Sequence, residues 1–418
     1  MAENTKDICL YFQIHQPYRI NSVSPSKKPE WQDFFVGRKL GKRGQDMQNK
    51  AIFDKVALNC YLPTTKFWLE FLQKHPNFKF SLSFSGTFLE QCQQYPEYGQ
   101  PVLELFQQFI KTNQVEILDE TYYHSLAFLV DTKEYLEQIK LHRNLIKRLF
   151  NVEPKTFRNT ELIYNNKIAS IIQSLGYETI LLEDAWWQPK PDLNQSFYTN
   201  QNQNLTPQEL DLISNYKIQD KNSKLKIFFR NEKCSNGIMF VAKDPFVNGL
   251  LAQEIVVSKQ NKIGIFTDYE FLGEHHESGD EATLNLEKQL NYLLQRRVNF
   301  KTIAEVSSTI NPEKLESYNC PEFSSWGHKE RDITVWRGGL QQEQAFLQLE
   351  SLYWQIQASG RTNLLEAWRR LSTSCHFYFL GDKTGEDGEF VNLFSPYESI
   401  SEALDIYLKV LYEIKQLL

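Results

Sequence analysis

Two hydrophobic rhythms alternate along the first three hundred residues of this chain. Apolar runs of strand length recur at residues 8–14, 78–85, 114–118, 155–157, 177–183, 225–229 and 262–268. Residues 78–85 alternate strictly, with Phe78, Phe80, Leu82 and Phe84 on one side, while 8–14 is almost continuously apolar, as in a strand buried on both faces. Between the runs, apolar residues fall three and four apart at 51–74, 86–112, 132–150, 166–175 and 244–260, which predicts helices, and Gly176 stops the fourth of them. Seven strands separated mostly by helices indicate an α/β protein built from parallel βα units, either a closed or nearly closed barrel or a doubly wound sheet.

Two stretches break the rhythm. Residues 21–50 are rich in Ser, Pro and basic residues, among them Lys27, Lys28, Arg38, Lys39, Lys42 and Arg43, and read as a long mobile loop after the first strand, in the position of a lid. Residues 189–224, rich in Asn, Gln, Asp and Pro, read as an irregular surface excursion. Beyond residue 300 the strand pattern lapses and helical stripes take over at 340–356, 364–371 and 400–418. The expected division is therefore a barrel or sheet over 1–300 and a helical domain over 301–418. The Gly- and acid-rich segment 381–388 lacks the spacing of a calcium loop and reads as a turn.

Composition adds little to the fold and more to the function. A chain of 418 residues exceeds one hydrophobic core, in keeping with two units. The net charge of −6, with Lys and Arg spread along the chain, offers no basic field for nucleic acid or an anionic membrane. Aromatics make up 14% of residues, and sugar rings stack on such side chains. Six scattered cysteines without a C-x-x-C pair fit reduced thiols, the N-terminus lacks the basic and apolar regions of a signal peptide, and no apolar run approaches a membrane span. A cytoplasmic protein is expected; the pattern carries no signal for an oligomeric state.

Chemistry in parallel βα folds collects at the carboxyl ends of strands, and this count puts His15, Glu161, Glu183, Arg230 and Asp268 there. Glu161 closes the tetrad Arg158-Asn159-Thr160-Glu161 after the fourth strand, and Asp268 and Glu270 close the seventh. Two carboxylates at two strand ends suggest acid–base work on a sugar, although such acids also cap helices. Glu116 lies inside the third run, where it either serves a polar site or faces water. The Tyr122-Tyr123-His124 cluster follows that run, and Trp186 and Trp187 follow the fifth, as a sugar platform or as packing.

In order along the chain, His15-Gln-Pro, Gln114-Val-Glu-Ile, Arg158-Asn-Thr-Glu-Leu, Asp268-Tyr-Glu with Gly273-Glu-His275, and the segment Trp336 to Ala345 resemble the motifs of glycoside hydrolase family 57. The segments His376-Phe-Tyr-Phe and Phe394-Ser-Pro-Tyr397 are similar to its α-amylase-like subgroup. The resemblance implies an incomplete seven-stranded (β/α)7 barrel followed by a C-terminal helical domain that contributes to the cleft. It also implies a retaining α-amylase or 4-α-glucanotransferase type of activity, with Glu161 as nucleophile and Asp268 as general acid/base. By the same likeness, His15, Glu116, Glu270 and His275 line the sugar next to the scissile bond, and Trp336 and Gln342 belong to a segment closing over the barrel mouth. The candidate substrate-binding set is completed by His124, Glu183, Trp187 and Arg230. The partner implied is an α-glucan or maltooligosaccharide; no cofactor and no metal is implied. Gly339, Gln344 and Cys375 depart from the subgroup, where Asn, Asp and Asp are usual, which bears on substrate preference and activity.

Two other readings stand beside this one. A metal-dependent polysaccharide deacetylase or α-mannosidase would use His275 and His276 with Asp268, yet adjacent histidines point apart and the i, i+4 spacing of helical ligands does not occur. A non-catalytic glucan-binding or regulatory protein would keep the fold and lose turnover.

Overall fold

The computed structural model describes residues 6–22, 29–39, 44–218, 224–241, 252–253, 255–274, 279–382 and 394–418. Seven parallel strands, β1 (Asp7–Ile14), β2 (Phe80–Phe84), β3 (Val115–Ile117), β4 (Thr156–Phe157), β5 (Thr179–Leu182), β6 (Lys226–Phe229) and β7 (Lys262–Asp268), stand where the apolar runs place them. Ladders join β7-β1-β2-β3 and β4-β5-β6. Single bridges, Asp119 to Phe157 and Arg230 to Gly264, close the two remaining gaps. The ring follows chain order, so the fold is a (β/α)7 barrel and not a doubly wound sheet.

The gap between β6 and β7 has a cause that the sequence reading missed. Within the excursion, Phe197–Asn200 forms a buried strand antiparallel to β6, with Phe197 stacked on Phe228 at 4.3 Å between ring centroids. It takes up the ladder edge of β6 and leaves only the Arg230 bridge for β7. The excursion is thus not irregular: it also contains the helix Pro207–Ser214, started by a Thr206/Glu209 capping box. Its polar flanks masked a four-residue strand, Phe-Tyr-Thr-Asn, that is buried throughout.

Side chains alternate in and out along each strand, and the inward ones stack in layers. Cys9, Tyr11, Leu118, Leu181, Phe228 and Phe266 fill the middle, and Ile303 and Val306 of the helix Ile303–Ser308 plug the N-terminal end. Continued upward, the alternation puts polar residues at the carboxyl ends: Gln13 and His15, Ser83 and Ser85, Glu120, Arg158, Glu183, Arg230 and Asp268. That layer is the floor of the site.

The C-terminal helices Leu340–Ser359, Leu365–Leu371, Ser374–Tyr378 and Ile400–Lys415 bury Phe346, Leu349, Leu352, Tyr353 and Ile356 against Trp368 and Leu371. They share one continuous apolar cluster with the helices around β4 and β5, including Ile172, Leu175 and Tyr177. Part of the loop 21–50 is packed: Phe34 and Phe35 are buried, Asn49 Nδ2 donates to the Phe35 carbonyl at 2.8 Å, and Arg38 pairs with Glu402 at 2.6 Å, while the exposed Gln45 and Asp46, with Met47, border the cavity at the barrel mouth. Lys27, Lys28, Lys42, Arg43, most of 244–260 and residues 383–388 lie outside the described residues. No described helix is long and apolar enough to cross a membrane.

Candidate active site

After β4 the backbone takes two left-handed residues in succession, Glu161 (φ 57°) and Leu162 (φ 51°), a conformation that side chains with a Cβ resist. The turn is held from below, where Asn159 Nδ2 donates to the Ile163 carbonyl at 2.8 Å and the Thr121 and Thr160 hydroxyls meet at 2.7 Å. The result aims the Glu161 carboxylate into a cavity of about 710 Å³. There Oε1 accepts from His124 Nε2 at 3.1 Å and Ser374 Oγ at 2.8 Å, and Oε2 accepts from Trp326 Nε1 at 2.7 Å. Burial alone would raise its pKa, but the His124 hydrogen bond and charge, then Arg158 and Trp326, bring it down to about 2.

Asp268, half-buried at the end of β7, borders the same cavity and is pushed the other way. Burial, and then the Glu161 charge, raise its pKa to about 6. One turn on, Glu270 accepts from the Tyr61 hydroxyl at 2.8 Å and from the His15 N–H at 3.2 Å, and burial plus the Asp268 charge raise it to about 8. His15 is fixed through Nδ1 to Ser85 Oγ at 2.7 Å, and its ring stacks on that of His124 with centroids 4.1 Å apart. Burial and His124 hold His15 neutral, and its buried Nε2 has no partner among the described residues. For His124, burial is outweighed by the Glu120 carboxylate, 3.7 Å from Nδ1, and by the hydrogen bond to Glu161, and its pKa is raised. The site therefore sets one carboxylate that is ionised from low pH against two that keep their protons longer, Asp268 to a pH of about 6 and Glu270 to about 8.

The chain's match to the model of glycosyl hydrolase family 57 spans residues 9–319. The chain belongs to that family. It is 31% identical over 98% of its length, and 85% of the other, to a protein of Methanocaldococcus jannaschii whose alpha-amylase name is itself an inference. It is 24% identical to Alpha-amylase 1 of Dictyoglomus thermophilum over 60% of this chain and 35% of that one. Among solved structures, the family 57 branching enzyme of Pyrococcus horikoshii superposes with a TM-score of 0.66 at 12% identity, over 99% of this chain and 94% of that one, a likeness of fold. As a family 57 member the protein is a glycoside hydrolase or transglycosylase.

Of the residues singled out by the sequence, the structure brings His15, His124, Glu161, Arg230, Asp268, Glu270 and Trp336 around one cavity. Four others stand elsewhere. Glu116 faces inward two layers too low, where it accepts from Ser81 Oγ, Thr156 Oγ1 and the Ala304 N–H at the plug helix. Glu183 is wholly buried behind Arg230 Nη1 at 2.7 Å. Trp187 donates to the Glu330 and Arg331 carbonyls, at 3.1 and 3.3 Å, and does not border the cavity. Gln342 is buried, taking the Gly338 and Gly339 N–H groups and donating to the Val335 and Phe377 carbonyls, so it knots the Trp336 segment to the helix Ser374–Tyr378. His275 and its neighbour His276 lie outside the described residues. Trp326 and Ser374, both on Glu161, were not anticipated: each follows a Ser- or Thr-rich stretch with no periodicity. Cys375 also borders the cavity, its thiol raised by burial.

Proposed function

We propose that the protein acts on α-1,4-linked glucans by a retaining mechanism in which Glu161 is the nucleophile and Asp268 the general acid/base. The observation that carries this reading is the opposite displacement of two carboxylates on one cavity, to about 2 for Glu161 and about 6 for Asp268. The ionised Glu161 attacks the anomeric carbon as the glycosidic C–O bond breaks and the Asp268 proton passes to the leaving oxygen. Asp268, now ionised, then takes a proton from water or from a sugar hydroxyl, whose oxygen attacks the same carbon and releases Glu161. Three donors orient Glu161, and its left-handed backbone leaves the carboxylate little freedom, which suits a nucleophile that must meet one carbon. Neutral Glu270 and His15 are placed to hold hydroxyls of the sugar at that point. Trp336 and Cys375 on the cavity, and Ser374 on Glu161, support a helical domain that contributes to the active-site cleft.

The test compares Asp268→Ala with wild type on aryl glucosides of good and poor leaving groups. Activity on the poor leaving group is expected to fall by about 10²–10⁴ and on the good one far less. An equal fall on both overturns the acid role. Products from maltooligosaccharides, shorter alone or shorter and longer together, distinguish hydrolysis from transfer.

A further inference from the structure

The turn after β5 presents an aromatic surface that the catalytic cavity does not use. Residues 185–188 form a tight reversal, closed by the Ala185–Gln188 bridge with the Gln188 N–H donating to the Ala185 carbonyl at 2.9 Å. Its two corners are Trp186 and Trp187, where small or polar residues are the rule. The turn is fixed on both flanks, by Lys190 to Asp184 at 3.0 Å and by the Tyr318 hydroxyl to the Gln188 carbonyl at 2.7 Å. Trp187 tucks inward. Trp186 remains 73% exposed although its Nε1–H already donates to the Lys329 carbonyl at 3.0 Å.

With the one polar atom of the indole satisfied, the surface left to water is the apolar ring, held by that bond and the turn. Its position is the second observation. Lys329 belongs to the segment 327–331, of which Gly327, His328, Lys329 and Arg331 border the catalytic cavity. The neighbouring Trp326 donates to Glu161. Trp186 therefore stands on the outer lip of the cleft, one hydrogen bond from its wall.

We infer that Trp186 is a stacking platform for the apolar face of a glucose unit in an α-glucan chain that runs out of the catalytic cavity. A pyranose offers C–H groups on one face and hydroxyls at its rim, so a ring with no free polar atom, fixed beside the cleft, suits that face. Chains long enough to leave the cavity gain this contact, and short ones do not. The inference rests on the α-glucan reading above.

Three variants separate a platform from a simple pin for the 327–331 segment. Trp186→Phe keeps an aromatic face and loses the N–H, whereas Trp186→Ala loses both. Kinetics on maltotriose and on long amylose, with electrophoretic retardation in gels containing amylopectin, form the readout. A platform predicts that Ala raises KM on amylose about tenfold, leaves maltotriose and kcat unchanged, and abolishes retardation, while Phe stays close to wild type. If Phe and Ala behave alike and kcat on maltotriose falls for both, Trp186 is a pin and the inference is overturned. Unchanged retardation and unchanged length dependence in Ala overturn it as well. Asp268→Ala, the third variant, must keep its retardation, since the platform acts without turnover. A wild type that turns over no α-glucan removes the catalytic reading alone, because retardation still decides the platform.

Discussion

Glu116 lies inside β3 and Glu161 in the turn after the neighbouring β4, and each carboxylate takes three hydrogen bonds. Their fates differ. Glu116 accepts from two neutral hydroxyls and a backbone N–H beneath a plug helix, and burial, only partly offset by those bonds, leaves its pKa raised. Glu161 accepts from a histidine flanked by two carboxylates, has Arg158 nearby, and opens on the cavity, so its pKa falls to about 2. Hydrogen-bond count does not distinguish a structural acid from the proposed nucleophile. The sign of the nearby charge and an opening to solvent do.

Exchanging each acid for its amide makes the largest test of that contrast. Glu161→Gln is expected to lower kcat by about four orders of magnitude or more while the fold persists. Glu116→Gln should keep kcat within a few-fold and lower stability by about 1–3 kcal/mol, since an amide NH2 replaces an acceptor among three donors. Melting curves and turnover on the same two preparations check it. Comparable loss of turnover in both would show that the lower layer also belongs to the reaction.

The next effect is on pH dependence. In the proposed mechanism turnover needs Glu161 ionised and Asp268 protonated, so kcat/KM should hold across the acid range and decline above a pH of about 6 as Asp268 loses its proton. Glu120, wholly buried, lies 3.7 Å from His124 Nδ1 and supports the cation that lowers Glu161. Glu120→Gln should therefore move the acid limb upward by about one unit or more and leave the alkaline limb nearly in place. An unchanged acid limb would mean that His124 works as a neutral donor.

The contrast also explains what could be read in advance. The strand rhythm predicted seven parallel strands, in a barrel or a doubly wound sheet, and the strand ends singled out Glu161 and Asp268, which border one cavity, because alternation and length are local properties. Parity was legible too, since Glu116, Leu118 and Glu120 share one face of their strand. Height was not: which layer an inward residue occupies depends on the stagger of neighbouring strands, where Ser81 lies level with Glu116, and on the plug helix far along the chain. For the same reason Gln342 and Trp187 sit near the cleft in sequence motifs but turn their polar atoms to backbone. Trp326 reaches Glu161 from a loop and Ser374 from the start of a five-residue helix, both too short of periodicity to be read and placed by tertiary packing.

A third test concerns stability. Asp268 and Glu270 carry raised pKa values, about 6 and about 8, so the folded protein binds more protons than the unfolded chain between the ordinary carboxyl range and those values. Stability should therefore fall as pH rises from about 4 to 8, the reverse of the usual paired carboxylate. Glu161, with its lowered pKa, contributes stability that is present above its unfolded value and lost only as pH falls toward 2. Glu270→Gln should flatten the decline, melting higher than wild type at pH 8 and nearly level with it at pH 5. Parallel curves for the two proteins would place the proton elsewhere.

The smallest expected effects come from the two unforeseen donors, and their order follows from how the carboxylate oxygens are shared. Trp326 alone serves Oε2, whereas Ser374 shares Oε1 with His124. Trp326→Phe keeps the ring over Arg158, whose guanidinium carbon lies 5.0 Å from the ring centroid, and removes only the donor. A hydrogen bond to a charged group contributes about 1.5–3 kcal/mol, so the pKa of Glu161 should rise by about one to two units, and activity at pH 3 should fall by up to about tenfold while activity at pH 5 hardly changes. Ser374→Ala leaves His124 on the same oxygen and should cost only about two- to threefold. If instead Ser374→Ala is the more damaging, the helix that carries it is setting the position of the carboxylate and not only donating to it, and restoring the hydroxyl as Thr at that position should then recover less than half of the loss.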